Sequence, residues 1–169
     1  MVGDFAETLA PTDLNNDGKL DLVVAGAGPE NRTGNFLQTL LGDGAGNLSP
    51  KQTIPLETTG SIKGAIAVAD FDEDGNMDVA MPITFKSPTG PIMHLFFGDG
   101  TGNMIQAPDL TPGTEPHSVI APNVNDDGHV DLIVTNRSDG TISVFLGDGT
   151  GAFALVNTIS VVCQGGVCD

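Results

Sequence analysis

A short acidic loop occurs three times along this chain, beginning at Asp13, Asp70 and Asn123. Each copy carries oxygen-bearing side chains at loop positions 1, 3, 5 and 9, with a glycine at position 6. Such a loop surrounds a hard cation with oxygen ligands, which is the coordination that calcium prefers. A single Asx-rich turn is common, but three with the same spacing are not, so we predict a repeat protein that binds calcium.

The best-known calcium loop with this spacing is the EF-hand, which needs a bidentate Glu at position 12 and a helix on either side. Position 12 is apolar in every copy, where it is Val24, Met81 or Val134. The residues that leave each loop alternate with a period of two and are often β-branched, as in 19–25 and 129–135. That pattern indicates a strand. An EF-hand is therefore excluded, and a calcium loop between two strands is predicted.

A second motif, Gly-Asp-Gly with a further glycine two residues on, follows each loop and is centred on Asp43, Asp99 and Asp148. Alternate glycines tolerate the positive φ angles of tight hairpins, and the Asp accepts hydrogen bonds from the turn backbone. The acidic loop recurs after 57 and then 53 residues. A period near fifty is typical of propeller blades or solenoid units.

Strands placed around these motifs give four per repeat, two flanking the acidic loop and two flanking the Gly-Asp-Gly turn. The predicted fold class is all-β, with three four-stranded antiparallel meanders of the β-propeller type, each carrying a DxDxDG-like calcium loop. In the third repeat the predicted strands are 117–122, 129–135, 141–146 and 152–161. The repeats are assigned to residues 1–56, 57–112 and 113–161, and a tail with a cysteine pair to 162–169.

This combination of motifs resembles the FG-GAP or VCBS repeat, which is found in integrin α-subunit propellers and in many secreted bacterial proteins. The resemblance covers residues 5–161 and implies one calcium ion per blade, up to three in all. It implies side-chain ligands at loop positions 1, 3, 5 and 9, and a backbone carbonyl at position 7. The implied ligands are Asp13, Asn15, Asp17, Lys19 and Asp21; Asp70, Asp72, Asp74, Asn76 and Asp78; and Asn123, Asn125, Asp127, His129 and Asp131.

The three loops differ in charge. The second has four carboxylates among its side-chain ligands, the first has three and the third has two. Because the charge of the ligands tunes calcium affinity, we predict that the second loop binds most tightly, then the first, then the third.

The composition limits the partners. The chain has 22 acidic and 6 basic residues and a formal charge of −16, which disfavours binding to nucleic acid or to an anionic membrane. Carboxylates crowded into a loop repel one another until a cation arrives, so we expect calcium removal to lower the melting temperature.

Cys163 and Cys168 are the only cysteines. They are separated by four residues, two of which are glycines, and a small disulfide ring between them is favoured over free thiols. Such a ring belongs to an oxidising compartment, so an extracellular, secreted or cell-surface location is expected. The amino terminus lacks the features of a signal peptide, which leaves a signal already removed or a chain that is a piece of something longer.

Catalytic motifs are not evident in the sequence, so the prediction is that the chain is not an enzyme. There is no Gly-x-Ser-x-Gly and no His-Glu-x-x-His. His94 is expected to pack among apolar neighbours in a strand. His117, with Glu115 and Ser118 beside it, is expected at the start of a strand rather than in a catalytic triad, because adjacent residues rarely reach that geometry.

Three blades are fewer than the four to eight of closed propellers. An open stack of blades leaves an apolar sheet face uncovered at each end. Three arrangements would cover these faces: further blades in a longer chain, a second chain that completes a six-bladed ring, or head-to-tail stacking into a filament. Self-association or another extracellular protein or glycan is the expected partnership, without membrane insertion.

The predicted function is that of a secreted, calcium-binding β-propeller-type repeat protein in adhesion, surface structure or assembly, including assembly into an extracellular filament. One alternative is a carbohydrate-binding, lectin-like module, although the chain has no Trp or Tyr for stacking on sugars. Another is a non-catalytic part of a larger secreted enzyme.

Overall fold

The computed structural model describes residues 5–27, 34–56, 62, 64–83 and 92–161. Within these ranges the chain consists of strands and turns, with no helix. No helix in the described residues is therefore long and apolar enough to cross a lipid bilayer. Cys163 and Cys168 lie outside the described residues.

The twelve strands form three four-stranded antiparallel sheets, in each of which the strands pair in chain order. This confirms the predicted three meanders. The first sheet contains β1 (Phe5–Thr12), β2 (Asp21–Ala27), β3 (Asn35–Gly42) and β4 (Leu48–Leu56). The second contains β5 (Ala67–Ala69), β6 (Asp78–Ile83), β7 (Ile92–Gly98) and β8 (Met104–Gln106). The third contains β9 (Pro116–Ile120), β10 (Leu132–Asn136), β11 (Thr141–Gly147) and β12 (Phe153–Ser160).

The strand after each acidic loop begins later than its sequence pattern indicates. The prediction that a strand starts at His129 is wrong by three residues, since β10 begins at Leu132. The physical reason is that position 7 still belongs to the loop, where the amide of His129 donates to the carboxylate of Asp127 at 2.9 Å. Ladder pairing begins at position 9 in the first two sheets, where Asp21 pairs with Thr12 and Asp78 pairs with Ala69, and beyond position 9 in the third.

The Gly-Asp-Gly motifs form the predicted hairpin turns between the third and fourth strands of each sheet. In each turn the Asp accepts a hydrogen bond from the amide two residues on, at 2.7 Å for Asp43, 2.8 Å for Asp99 and 2.9 Å for Asp148. Side-chain hydrogen bonds from Asn47, Thr101 and Thr150, together with backbone bonds, lower the pKa of these exposed carboxyl groups, to about 2 for Asp99. The side chains therefore stay ionised and hold the turns near neutral pH.

The first core lies between the first and second sheets. Each sheet has two faces, which we name by the second sheet: its entry face carries Val79, Met81 and Phe96, and its exit face carries Ala80, Met93 and Leu95. The exit face of the first sheet packs on the entry face of the second. The first sheet contributes Val23, Ala25 and Leu37, each of which is at most 1% exposed.

The second core repeats this arrangement one blade further along. The exit face of the second sheet packs on the entry face of the third, which contributes Leu132, Val134 and Phe145. All six residues of β6 are consequently buried, because the second sheet is covered on both faces. Phe71 and Phe153 add an edge-to-face contact across the same junction, with ring centroids 5.5 Å apart. Each such buried apolar side chain contributes about 1.5–3 kcal/mol.

Candidate metal centre

The three acidic loops have the same backbone conformation. Position 4 is left-handed in each, with φ of 56° at Asn16, 58° at Glu73 and 60° at Asp126. The glycine at position 6 also has positive φ, for example 91° at Gly75. A side chain other than Gly at position 6 would be strained, which explains the glycine in every copy. The three loops thus share one sharply turned backbone.

Hydrogen bonds within the second loop hold its carboxylates against the loop backbone. In the second loop the amide of Gly75 donates to Asp70 Oδ2 at 2.9 Å, and the amide of Asn76 donates to Asp74 Oδ1 at 2.8 Å. The amide of Asp74 donates to Asp72 Oδ1 at 3.3 Å. The loop backbone therefore fixes the carboxylates before any ion binds.

The Asp at position 9 has a structural role that the sequence pattern did not reveal. Asp78 is fully buried and accepts two backbone hydrogen bonds, from the amide of Phe71 at 2.7 Å and from the amide of Gly98 at 2.8 Å. The first donor lies at position 2 of the same loop, and the second ends the third strand of the same sheet. Asp78 therefore ties the acidic loop to the Gly-Asp-Gly hairpin.

The same arrangement recurs in the other two loops. The carboxylate of Asp21 accepts hydrogen bonds from the amides of Leu14 at 2.9 Å and Gly42 at 2.7 Å. The carboxylate of Asp131 accepts hydrogen bonds from the amides of Val124 at 2.7 Å and Gly147 at 3.0 Å. Asp21 and Asp131 are also fully buried. Each loop and its hairpin thus meet at the same end of the blade, as the meander topology predicts.

The second loop gathers three carboxylates. Asp70, Asp72 and Asp78 each offer an oxygen, and these oxygens all lie within 4.8 Å of one another. Two oxygens that bind one calcium ion at its usual distances lie at most about 5 Å apart. Asp70 Oδ1 is buried and has no hydrogen-bond partner. The donor set and this free oxygen fit a calcium ion.

Burial and repulsion between neighbouring carboxylates favour the binding of a cation at this centre. Burial, with the charges of Asp72 and Asp70, raises the pKa of Asp78 to about 7, although two backbone amides favour its ionised form. Burial and the neighbouring carboxylates Asp74 and Asp70 also raise the pKa of Asp72. Ionising the whole cluster is unfavourable without a counter-charge, and a divalent cation provides one.

The first loop is arranged differently, because a lysine occupies position 7. Lys19 Nζ lies 3.0 Å from Asp17 Oδ2, and both side chains are partly exposed. Asp13 uses both of its oxygens on loop amides, Oδ1 for Asp17 and Oδ2 for Gly18. Among the described residues, clusters of three close acidic, cysteine or histidine ligands are limited to the second loop.

Removing the lysine should strengthen calcium binding at the first loop. Lys19 competes with calcium for Asp17, so we expect Lys19→Met to raise the affinity of this loop about threefold. Calcium calorimetry checks this, and Lys51→Met, which changes the net charge equally on an exposed strand residue, is the control. Equal effects of the two variants would attribute the gain to net charge alone.

The third loop has the fewest carboxylates among its proposed ligands, Asp127 and Asp131. The amide group of Asn125 donates to Asp127 Oδ2 at 2.7 Å, which occupies one of the few charged oxygens. The order of affinity, with the second loop first, stays a prediction that the geometry favours.

His94 and His117 lie in strands of different sheets, β7 and β9. His94 is 2% exposed in β7, and its Nδ1 lies 2.6 Å from Asp109 Oδ1, a contact that the sequence did not predict. His117 Nδ1 lies 3.4 Å from Ser118 Oγ. The same oxygen accepts a hydrogen bond from the amide of Ala65, and this bond joins the second and third blades.

Comparison with known proteins identifies the repeat. Residues 13–81 match the family model described as an FG-GAP-like repeat. The matched FG-GAP segment runs from the first acidic loop through the second and into β6, so it includes the candidate centre at Asp70, Asp72 and Asp78. The resemblance predicted from the sequence is confirmed over this range. Curated protein sequences give no match.

Proposed function

We propose that this chain is a non-catalytic, calcium-binding β-propeller-type repeat module that acts outside the cell in structure, adhesion or assembly. The observation that supports it most is the cluster of Asp70, Asp72 and Asp78, with a buried oxygen of Asp70 left without a hydrogen bond. Calcium would bind these carboxylates together with the other loop ligands. It would neutralise their charge and fix the loop against its hairpin through Asp78.

An extracellular setting suits this role. Calcium sites of extracellular modules have dissociation constants of about 0.1–1 mM, which suits the higher calcium concentrations found outside cells. The acidic side chains are held by backbone amides in rigid loops, which suits stabilisation of the blades rather than proton transfer. The proposed function is therefore that of a scaffold, in which calcium stiffens one end of each blade.

Calorimetric titration with calcium tests the proposal. We expect wild-type protein to bind calcium, and Asp72→Asn to weaken the tightest site about tenfold or more, because one charged ligand is lost. Glu7→Gln removes the same charge from an exposed residue of β1 and should leave binding unchanged. A wild-type titration without calcium-specific heat, together with an unchanged melting temperature, would contradict calcium binding.

A further inference from the structure

The two end sheets present apolar faces that correspond to covered faces inside the stack. The entry face of the first sheet carries Leu9, Leu22, Val24, Phe36 and Leu40, as the register of β1 to β3 shows. The exit face of the third sheet carries Ile120, Ile133, Ile142, Val144 and Leu146, as the register of β9 to β12 shows. An entry face and an exit face are the two halves of each internal junction.

Residues at equivalent positions show how much of these faces is left uncovered. Leu9 lies four residues before its acidic loop and is 60% exposed. Its equivalents, Ile66 and Val119, are 8% and 1% exposed, because a preceding blade packs on them. Ile120 is 58% exposed on the exit face, whereas its equivalent Ala67 is 7% exposed.

The acidic loop of the third blade is also more exposed than the loops of the first two blades. At both internal junctions the hairpin of one blade caps the loop of the preceding blade: Gly102 donates to the carbonyl of Leu14 at 3.1 Å, and Gly151 donates to that of Phe71 at 3.2 Å. Leu14 and Phe71 are 3% and 1% exposed. Val124 is the equivalent residue in the third loop, and it is 45% exposed.

The missing cap has a counterpart at the other end of the chain. Gly46 is the equivalent of Gly102 and Gly151. A Cβ on Gly102 would meet Leu41 at 2.8 Å, and one on Gly151 would meet Phe97 at 2.5 Å, so both glycines permit close contact with the preceding blade. A Cβ on Gly46 has nothing within 4 Å. Among the described residues, the space beside Gly46 that a preceding blade occupies at the other two turns is therefore open.

Charges at this unformed junction are complementary. Across each internal junction, position 4 of one loop contacts position 7 of the next: Asn16 Nδ2 lies 3.0 Å from Asn76 Oδ1, and Glu73 Oε1 lies 2.6 Å from His129 Nδ1. The corresponding pair between the last loop and the first is Asp126 and Lys19. In a chain with 22 acidic and only 6 basic residues, this opposite-charge pairing favours a second copy of the same chain.

We propose that two copies of this chain associate head to tail, with the exit face of each third sheet packed on the entry face of the other copy's first sheet. Val124 would lie under the partner's hairpin, and Asp126 would pair with the partner's loop at the position of Lys19. Three blades of a six-bladed ring span half a circle, so a two-fold rotation forms both junctions at once and closes the ring. This deepens the assembly role proposed above and rests on it.

Sedimentation analysis in calcium tests the association. We expect a particle of twice the 17.3 kDa mass of one chain. Ile120→Glu places a charge in the junction and should weaken dimerisation about tenfold or more. Ile105→Glu is the matched control, because Ile105 is 65% exposed on β8, outside both end faces. Circular dichroism and calcium calorimetry on each variant show whether it is folded and binds calcium.

A charge exchange tests the same junction without touching the apolar faces. Asp126→Lys and Lys19→Glu should each weaken the dimer, and the double variant should recover it, because the pair is restored with reversed signs. A monomeric wild-type protein that still binds calcium would overturn the association but not calcium binding. Equal effects of Ile105→Glu and Ile120→Glu, or no recovery in the double variant, would also overturn it, and long polymers would overturn the closed ring.

Discussion

Replacing Asp131 by Ala is expected to lower the free energy of unfolding by about 3 kcal/mol in calcium-free buffer. The carboxylate is fully buried and accepts hydrogen bonds from the amides of Val124 and Gly147. Its removal leaves two backbone donors without their partner, and each unsatisfied buried group costs about 1–3 kcal/mol. Denaturant unfolding with a chelator present measures the loss apart from any contribution of calcium.

Two further variants separate the structural role of this carboxylate from a role as a metal ligand. Asp131→Asn keeps one acceptor oxygen and should lose less stability than Asp131→Ala. Asp127→Ala removes an exposed side chain of the same loop and should have a much smaller effect without calcium. If Asp127→Ala and Asp131→Ala destabilise the calcium-free protein equally, the buried hydrogen bonds are not what holds this loop to its hairpin.

The sequence predicts the position of Asp131 but not the amide of the hairpin that donates a hydrogen bond to it. The acidic loop, the strand after it and the Gly-Asp-Gly hairpin follow from local patterns that are repeated in each blade. The hydrogen bond from the hairpin spans 21 residues in the first blade, 20 in the second and 16 in the third. No fixed spacing marks this contact, because the strands and connections between its ends differ in length. It becomes evident only once the sheet register is known.

The sequence pattern also did not reveal which contacts compete with calcium for the carboxylates of a loop. Counting carboxylates gives the first loop three charged ligands, but it does not show that Lys19 pairs with Asp17. It does not show that Asp13 uses both oxygens on backbone amides. Both contacts depend on side-chain rotamers within an already formed turn. The repeat pattern therefore predicts where a cation site lies better than it predicts how tightly that site binds.

The uncovered end faces were expected from the number of blades, but their detailed match was not. Leu9 and Ile120 are ordinary apolar residues in an alternating strand pattern. Their exposure becomes informative when Leu9 is compared with its buried equivalent Val119, and Ile120 with its buried equivalent Ala67. That comparison needs the sheets, the order in which they stack and the direction in which each face points.

Chelation of calcium is expected to lower the melting temperature by about 5–10 °C at pH 8 and by much less at pH 5. A ligand at 100 times its dissociation constant stabilises a protein by about 2.7 kcal/mol, and each kcal/mol is about 2–4 °C for a chain of this size. Asp78 makes the effect depend on pH, because its pKa is about 7 in the calcium-free fold, well above the ordinary value of 3.8 for an aspartate.

The sign of the pH dependence follows from these two values. A carboxyl group whose pKa is raised by folding stabilises the fold while protonated, and this contribution is lost as pH rises through 7. The calcium-free protein should therefore melt higher at pH 5 than at pH 8, whereas calcium, which binds the ionised carboxylates, should stabilise it most at pH 8. Carboxyl groups with lowered pKa, such as Asp43 and Asp99, stay ionised throughout this range.

Thermal melts at the two pH values, each with calcium and with chelator, measure this reversal. His129 acts in the same direction, because its contact with Glu73 raises its pKa, so His129→Gln is needed to isolate the contribution of Asp78. The pH dependence that persists in that variant belongs to the second loop. A calcium-free melting temperature that rises from pH 5 to pH 8 would mean that the second loop does not strain the calcium-free fold, and a calcium effect independent of pH would place the ion elsewhere.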